Sequence, residues 1–248
     1  MATRKSTTTA VAVKKPSNVV AIQESLKSMT ASITERIQPG GGNKIRLSKD
    51  KQFVLPDGTK TEGPLELVIV DFVATNSFYA GKFDANNPAP PSCFAVGTNI
   101  RAMVPVKESP EIQNDNCAEC PMNAWGSDGS GKACKNGRRL AVLPPDADAD
   151  TPLWLLDVSP TALKGFDGYV AGVVRTFGMP PIAVVTQVSM DDQTEYQRLV
   201  FSDPKPNENL AVAHARMDEA RELLVALPDF SGLTATKKPA PRKTAGRR

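Results

Sequence analysis

Apolar residues between Val19 and Ile37 recur every three or four residues, the spacing of one face of a helix. Pro39 and the glycines that follow end this pattern. We therefore predict an amphipathic helix over residues 19–38. It either docks on its own protein or mediates self-association through residues 19–37, and two heptads are too few to favour self-association.

After the glycines the apolar period changes to two, which is typical of β-strands. Residues 65–79 form a long run rich in residues that favour β-strands and are the predicted central strand. Pro56-Asp57-Gly58, after the short strand 52–55, is a turn signal of the hairpin kind. Together the pattern predicts strands at 44–47, 52–55, 65–79, 138–143, 153–158, 182–190 and 196–201.

Two further helices are predicted towards the C-terminus. Ser159 and Pro160 are start signals for a helix that Gly178 ends. A last helix spans roughly residues 207–227, and its predicted inner face consists of Leu210, Met217, Leu223, Leu224 and Leu227. The order of elements predicts a mainly β (α+β) fold: an OB-fold-like small barrel with an inserted four-cysteine segment and flanking helices.

The predicted organisation centres on a core over residues 43–203, with residues 93–137 inserted in it and a C-terminal helix over 204–230. The insertion shows little regular pattern, which suits a loop that folds around a metal ion. Residues 1–18 are rich in Thr, Ser and Lys, and residues 237–248 are basic. We expect both to be disordered tails.

The net charge of +3 conceals an uneven distribution. The two tails hold ten of the 30 Lys and Arg residues and no acidic residue. Residues 19–236, the body, therefore contain 20 basic and 27 acidic residues and have a net charge of −7. A polyanion would therefore bind at a local basic groove, at the tails or at both. The sequence has neither a long apolar run nor the apolar centre of a signal peptide, so we expect a reducing cytoplasm as its compartment.

All four cysteines lie in one stretch of the chain. Cys117 and Cys120 are separated by two residues, a spacing that lets two thiolates on one turn reach a tetrahedral zinc ion, and Cys93 and Cys134 can supply the other pair. In a reducing cytoplasm such a quartet is more often a metal site, whereas outside a cell two disulfides would be favoured. Four thiolates leave no position for water, so the predicted zinc is structural.

The sequence lacks the residues that three catalytic motifs require. Residues 126–132 match Gly-x-x-x-x-Gly-Lys, but Ala133 stands where a phosphate loop needs Ser or Thr. The Cys-x-x-Cys pair lacks the His-x-Glu of a nucleobase deaminase, and no Gly-x-Ser-x-Gly elbow accompanies the one histidine, His214. We expect a non-catalytic protein with His214 on the surface of its last helix.

Aromatic and cationic residues gather in two places, as single-stranded nucleic acid requires: cations follow the backbone and aromatic rings stack on bases. Neighbouring side chains of a strand point to opposite faces, so at least one of Phe78, Tyr79 and Phe83 is free to stack. Trp125 either covers the metal, which we expect first, or stacks on a base. Alternatively the aromatic residues are ordinary core and some cations merely balance the thiolates. The candidate nucleic-acid-binding residues are Lys44, Arg46, Phe78, Tyr79, Lys82, Phe83, Trp125, Lys132, Lys135, Arg138 and Arg139.

Three stretches that contain the cysteines resemble a known family. Residues 91–94, 115–127 and 131–139 look like the zinc segment of single-stranded-DNA-binding proteins encoded by tailed bacteriophages. Residues 156–164 resemble the strand-to-helix step that follows in that group. The resemblance spans roughly residues 43–203, and it implies an OB-fold core, a structural zinc and a role in phage DNA replication, recombination or repair in the cytoplasm of a bacterial host.

The C-terminus departs from that group, whose replicative members usually end in an acidic tail that recruits partners. This chain ends in a basic tail, so either phage replication or recombination proteins bind another surface or the tails themselves bind DNA. We expect a sequence-tolerant, non-catalytic single-stranded-DNA-binding protein. The alternative is a zinc-stabilised structural or adaptor protein of the phage particle or replisome, which acts mainly through protein contacts.

Overall fold

The computed structural model describes residues 43–81 and 89–228, together with residues 22, 25, 26 and 29. The predictions for the two tails, Lys82 and Phe83 lie outside the described residues. Residues 1–42 and residues 43–248 form two separate units. In the first unit the four described residues are helical. Three of them are apolar, and each of these three has more than half of its surface exposed: Ile22, Leu26 and Met29.

In the second unit, the described residues form nine strands that join into one sheet. They are β1 (Lys44–Leu47), β2 (Phe53–Val54), β3 (Lys60–Thr61), β4 (Leu65–Phe78), β5 (Cys93–Gly97), β6 (Lys135–Leu143), β7 (Trp154–Val158), β8 (Val184–Met190) and β9 (Leu199–Pro206). The order across the sheet is β3-β2-β1-β7-β6-β4-β8-β9, and β5 pairs with β4. β1 and β7 are parallel, whereas the other pairs are antiparallel.

The 14-residue strand β4 is the strand around which the sheet curls. It pairs with β6 along one edge and with β8 and β5 along the other. A register shift between Ile69 and Asp71 interrupts its pairing with β6, and such bulges bend a strand and increase its twist. The result is a strongly curled, half-barrel sheet, so the prediction of a mainly β, barrel-like fold is confirmed at this level.

The inner face of this curled sheet holds the main core, because alternate side chains of each strand point to it. Seven strands contribute to one buried cluster there: β1, β2, β4, β6, β7, β8 and β9. Phe166 of helix α1 (Leu163–Phe177) fills the cluster, and the rings of Phe72 and Phe201 meet it at centroid distances of 5.2 and 4.9 Å. Gly178 ends α1 in the left-handed conformation, at φ 66°, as the sequence predicts.

The outer face carries a second core at one end only. Helices α2 (Leu210–Ala215) and α3 (Met217–Leu224) pack there against alternate residues of β4, among them Val68 and Val73. Beyond Val73 the outer-facing residues of β4 are polar and half-buried. The apolar half of the outer face is therefore covered by helices, and the polar half is left for other contacts.

Several details of the prediction are wrong. β5 lies in a stretch predicted to lack regular structure, because pairing with β4 rather than a local pattern fixes it. Helix α1 begins at Leu163 instead of Pro160, and no side chain caps its start. The last helix is broken into α2 and α3, and Leu210 and Leu227 of its predicted inner face are exposed. His214 is exposed on α2, in agreement with the prediction.

Candidate functional site

All four cysteines line one small cavity on the inner face of the sheet. Cys93 begins β5 and pairs with Phe78 at the end of β4. Cys117 and Cys120 lie on the loop after β5, and Cys134 immediately precedes β6. Distant parts of the chain thus bring four reduced, buried thiols together.

Burial raises the pKa of the Cys93, Cys117 and Cys134 thiols above their ordinary value. For Cys134, burial and then the neighbouring cysteines raise the pKa to about 12, and the nearby Lys132 opposes this rise. These three thiols are therefore protonated at neutral pH when no metal is bound. A metal ion has to displace these protons, which makes its binding depend on pH.

The donor set fits zinc, because four cysteine sulfurs are the ligands of a closed structural site. Its side-chain geometry is not that of a finished site: across residues 43–81 and 89–228, no three His, Cys, Asp or Glu side chains are arranged to hold a metal ion. The loop backbone is nevertheless fixed, since the Asn123 side chain donates to the carbonyl of Cys117 at 2.7 Å. Zinc binding would therefore require the thiols to turn towards a common point.

Trp125 lies on the same loop but does not cover the cysteines. It is 79% exposed, and Phe78 is the aromatic residue that lines the cavity. Beside Trp125 the loop closes on itself, as the amide of Gly126 donates to the carbonyl of Gly131 at 2.8 Å. Of the two roles predicted for Trp125, stacking on a base is the one that its exposure permits.

The residues that imitate a phosphate loop, 126–132, form a closed turn and lead into strand β6. A phosphate loop leads into a helix, so this turn lacks the required context. The ammonium group of Lys132 donates to the side-chain oxygens of Asn123 and Asn136 at 3.2 and 3.0 Å. Lys132 thus lies beside the cysteine cavity, where its positive charge opposes the rise in the pKa of Cys134.

The polar half of the outer face brings together several of the predicted cations. Arg139 of β6 pairs with Asp157 of β7, and Lys135 pairs with Ser77 of β4. Residues opposite each other in a ladder project from the same face, so these four share the outer face. Lys44 joins them, with its ammonium nitrogen 2.5 Å from the Asp157 carboxylate.

The same surface continues onto the hairpin of β1, β2 and β3. Arg46 is two residues from Lys44 and pairs with Val54, which in turn pairs with Lys60. Arg46 and Lys60 are exposed, and neither has an ion-pair partner in the part of the chain that the structure describes. We define the outer-face band as Lys44, Arg46, Lys60, Tyr79, Lys135, Arg139 and Asp157.

Lys60 was not among the residues predicted from the sequence. It lies in a two-residue strand, which is too short to show a period. Only the register with β2 assigns it to the face that carries Arg46. Asp157 was also missed as part of the site, although its alternation within β7 could have indicated its face.

Tyr79 is the aromatic member of the outer-face band and is 46% exposed. Partial burial and then the charge of Asp157 raise the pKa of Tyr79, so its phenol is neutral at ordinary pH. Phe78, its neighbour, points to the cysteine cavity. The two residues thus divide between the two faces, as the alternation of a strand requires.

Arg139 is the most constrained cation of the band. Its guanidinium group donates to the carbonyls of Leu224 and Ala226 at 3.1 and 2.7 Å and lies 5.6 Å from the centre of the Phe94 ring. Its Nε is 3.8 Å from the Asp157 carboxylate. A cation that binds the last carbonyls of a helix stabilises that end, so Arg139 fixes the end of α3 beside the band.

Arg138 and Arg139 do not form a joint cationic patch. Arg138 points to the inner face, where it donates to the Asp167 carboxylate of α1 at 2.9 Å. Lys135 remains largely exposed on the outer face, in an ion pair of 2.8 Å with Asp128. The band therefore contains five cations, and among the described residues the carboxylates that form ion pairs with them are those of Asp157 and Asp128, which leaves the cations in excess.

No helix within the described ranges combines the length and the apolar character that crossing a membrane demands. Comparison of the chain with family models, with curated proteins and with solved structures finds no match.

Proposed function

We propose that the protein binds single-stranded DNA without catalysis and with little regard to sequence. The outer-face band carries this proposal: it is a net-positive strip on a body whose net charge is −7. Cations along such a strip can follow a phosphate backbone, and the exposed rings of Tyr79 and Trp125 can stack on bases. The resemblance of the cysteine segment supports a role in phage DNA replication, recombination or repair.

We also propose that the curled sheet is an OB-type barrel. Seven strands share one inner core, the sheet closes only partly, and α1 lies between β7 and β8. OB-folds bind oligonucleotides on one strand face and its adjacent loops. In this protein the corresponding surface would be the outer-face band and the loop that carries Trp125.

We propose further that Cys93, Cys117, Cys120 and Cys134 hold one structural zinc ion. The shared cavity and the closed four-sulfur donor set support this assignment. Four thiolates on one dication leave two excess negative charges, which Lys132 beside the cavity would partly offset. Bound metal would stabilise the loop and so fix the position of Trp125.

A charge-reversal experiment tests the DNA-binding proposal. Arg46→Glu combined with Lys60→Glu is expected to weaken the binding of a single-stranded oligonucleotide and to make its salt dependence shallower, because each lost phosphate contact removes about 0.7 from the slope of log K against log salt. The measurement is a fluorescence-anisotropy titration at several salt concentrations, with single- and double-stranded oligonucleotides in parallel.

The matched control is Lys164→Glu combined with Arg175→Glu, which changes the net charge equally. Both residues are exposed on α1, the helix that fills the inner face. We expect this control to bind single-stranded DNA nearly as the unaltered protein does. Equal losses in the two double variants, or no salt-dependent binding by the unaltered protein, would contradict the proposal.

A structural or adaptor role is the second candidate, and the exposed apolar residues Ile22, Leu26 and Met29 favour it. They lie at helical spacing, so they present one apolar stripe. This role predicts a larger oligomer that Ile22→Glu with Met29→Glu dissociates, and little discrimination between single and double strands. Sedimentation of the unaltered protein and of this double variant, together with the titration above, separates the DNA-binding role from the structural role.

A further inference from the structure

Asp157 stands at the centre of the outer-face band, among the groups assigned to the phosphate backbone. Its carboxylate lies 2.5 Å from the ammonium nitrogen of Lys44 and 3.8 Å from Nε of Arg139. Arg139 is held elsewhere by two backbone carbonyls, whereas Lys44 has no other hydrogen-bond acceptor among the described residues. Asp157 is therefore chiefly the partner of Lys44.

The pair between Lys44 and Asp157 is exposed to solvent. The side chains of Lys44 and Asp157 are 41% and 46% accessible, so water and ions screen their attraction. Exposed ion pairs contribute little to stability, and a competing anion can open them. A carboxylate that binds a lysine in the free protein occupies the place that a DNA phosphate would take.

We propose that Asp157 competes with the DNA phosphate for Lys44 and thereby limits the affinity of the outer-face band. In the free protein Lys44 binds Asp157, and in the complex it exchanges this carboxylate for a phosphate of the strand. No bond other than the ion pair breaks, and the displaced carboxylate returns to water. This inference rests on the proposed function and adds a residue, Asp157, that lowers the affinity for single-stranded DNA.

The test compares the unaltered protein with Asp157→Asn, which removes the charge and keeps the size of the side chain. We expect Asp157→Asn to bind a single-stranded oligonucleotide about two- to fivefold more tightly at low salt, the range that one exposed ion pair allows. The salt slope should stay close to that of the unaltered protein, since Lys44 contacts a phosphate in both complexes. Asp157→Ser provides a second, differently shaped neutral variant.

A double-mutant cycle with Lys44→Gln distinguishes exchange from simple repulsion. If Lys44 has to leave Asp157 before it binds phosphate, Lys44→Gln costs more affinity in the Asp157→Asn background than in the unaltered protein. If Lys44 makes the same contact with phosphate whether or not Asp157 is present, and the carboxylate only repels DNA, the two costs are equal and the inference is overturned.

Glu66→Gln is the control, because Glu66 lies outside the band and forms a similarly exposed ion pair. Its carboxylate is 3.0 Å from the ammonium nitrogen of Lys205. We expect it to leave the affinity unchanged, and a gain equal to that of Asp157→Asn would overturn the inference. If the unaltered protein binds DNA and Asp157→Asn binds no more tightly, the inference is also overturned, but the proposed function is not. Absence of DNA binding by every variant removes the proposed function itself.

Discussion

The two tryptophans occupy opposite environments. Trp154 in β7 packs against the inner core, whereas Trp125 is 79% exposed on the loop of the cysteines. An exposed indole loses little packing when it is replaced, so its substitution separates a binding role from a structural one. At the scale of the single residue, Trp125 is therefore the most informative position in this protein.

Trp125→Ala should weaken the binding of single-stranded DNA by about 1 to 3 kcal/mol, the contribution of one stacked base. Its melting temperature should match that of the unaltered protein. DNA should quench the tryptophan fluorescence of the unaltered protein through Trp125. In Trp125→Phe, where Trp154 is the remaining tryptophan, DNA should cause no quenching. Unchanged affinity of Trp125→Ala, with a lowered melting temperature, would instead assign Trp125 a structural role.

At the scale of the element, the segment from Cys93 to Cys134 combines one paired strand with a long irregular loop. β5 hydrogen-bonds to β4. The Ser109 side chain joins the loop to β5: its hydroxyl accepts from the amide of Phe94 at 3.0 Å and donates to the carbonyl of Phe94 at 3.1 Å. The rest of the loop contributes few apolar side chains to the core, apart from Met103 and Cys117. Such a segment has little to hold it except its hydrogen bonds and a metal ion.

Metal removal tests that segment. We expect one zinc ion per chain by elemental analysis, and none after Cys117→Ser with Cys120→Ser, because two thiolates do not complete a tetrahedral site. A strong chelator should lower the melting temperature of the unaltered protein towards that of this variant.

His214→Ala is the control for metal content, since His214 is exposed on α2 and outside the cysteine cavity. It should retain the zinc ion. Unaltered protein that is folded and contains no metal under zinc-replete conditions would contradict the zinc proposal.

At the scale of the whole molecule, charge is divided between tails and body. The tails carry ten cations, whereas residues 19–236 have a net charge of −7. Non-specific attraction to DNA depends on cations near phosphates, not on net charge, so both the tails and the outer-face band can contribute. Only the band also presents an exposed tyrosine beside its cations.

Deletion of residues 1–18 and 237–248 separates these contributions. We expect the shortened protein to bind single-stranded DNA more weakly and with a shallower salt slope, yet to retain its preference over double-stranded DNA, because the tails carry no aromatic residue. The measurement is the same salt titration on both forms of DNA. Loss of all binding would place the binding site in the tails rather than on the sheet.

Much of the fold could be predicted from local pattern. The apolar, β-rich runs in 65–79 and in 153–158 indicated the strands β4 and β7, and Gly178 indicated the end of α1, because these signals depend only on neighbouring residues. β5 escaped prediction because its partner lies on another part of the chain. The start of α1 was misplaced because Ser159 and Pro160 form a turn before the helix, in which the amide of Ala162 donates to the carbonyl of Ser159.

The candidate site was predictable as a set of residues but not as a surface. Sequence pattern indicated Lys44, Tyr79, Lys135 and Arg139, which share the outer face. It also grouped Arg138 with Arg139, although adjacent residues of a strand point to opposite faces and Arg138 binds Asp167 of α1. Lys60 and Asp157 entered the site only through the register of their strands.

The sequence by itself determined the type of most elements, the four-sulfur donor set and the uneven charge, because composition, short-range period and spacing are properties of the chain alone. Tertiary structure decided which cations share a face, that Trp125 is exposed while Phe78 lines the cysteine cavity, and that Asp157 binds Lys44. These relations depend on strand register and on the curl of the sheet. Both arise from pairings between residues as far apart as Lys44 and Asp157, which no local pattern encodes.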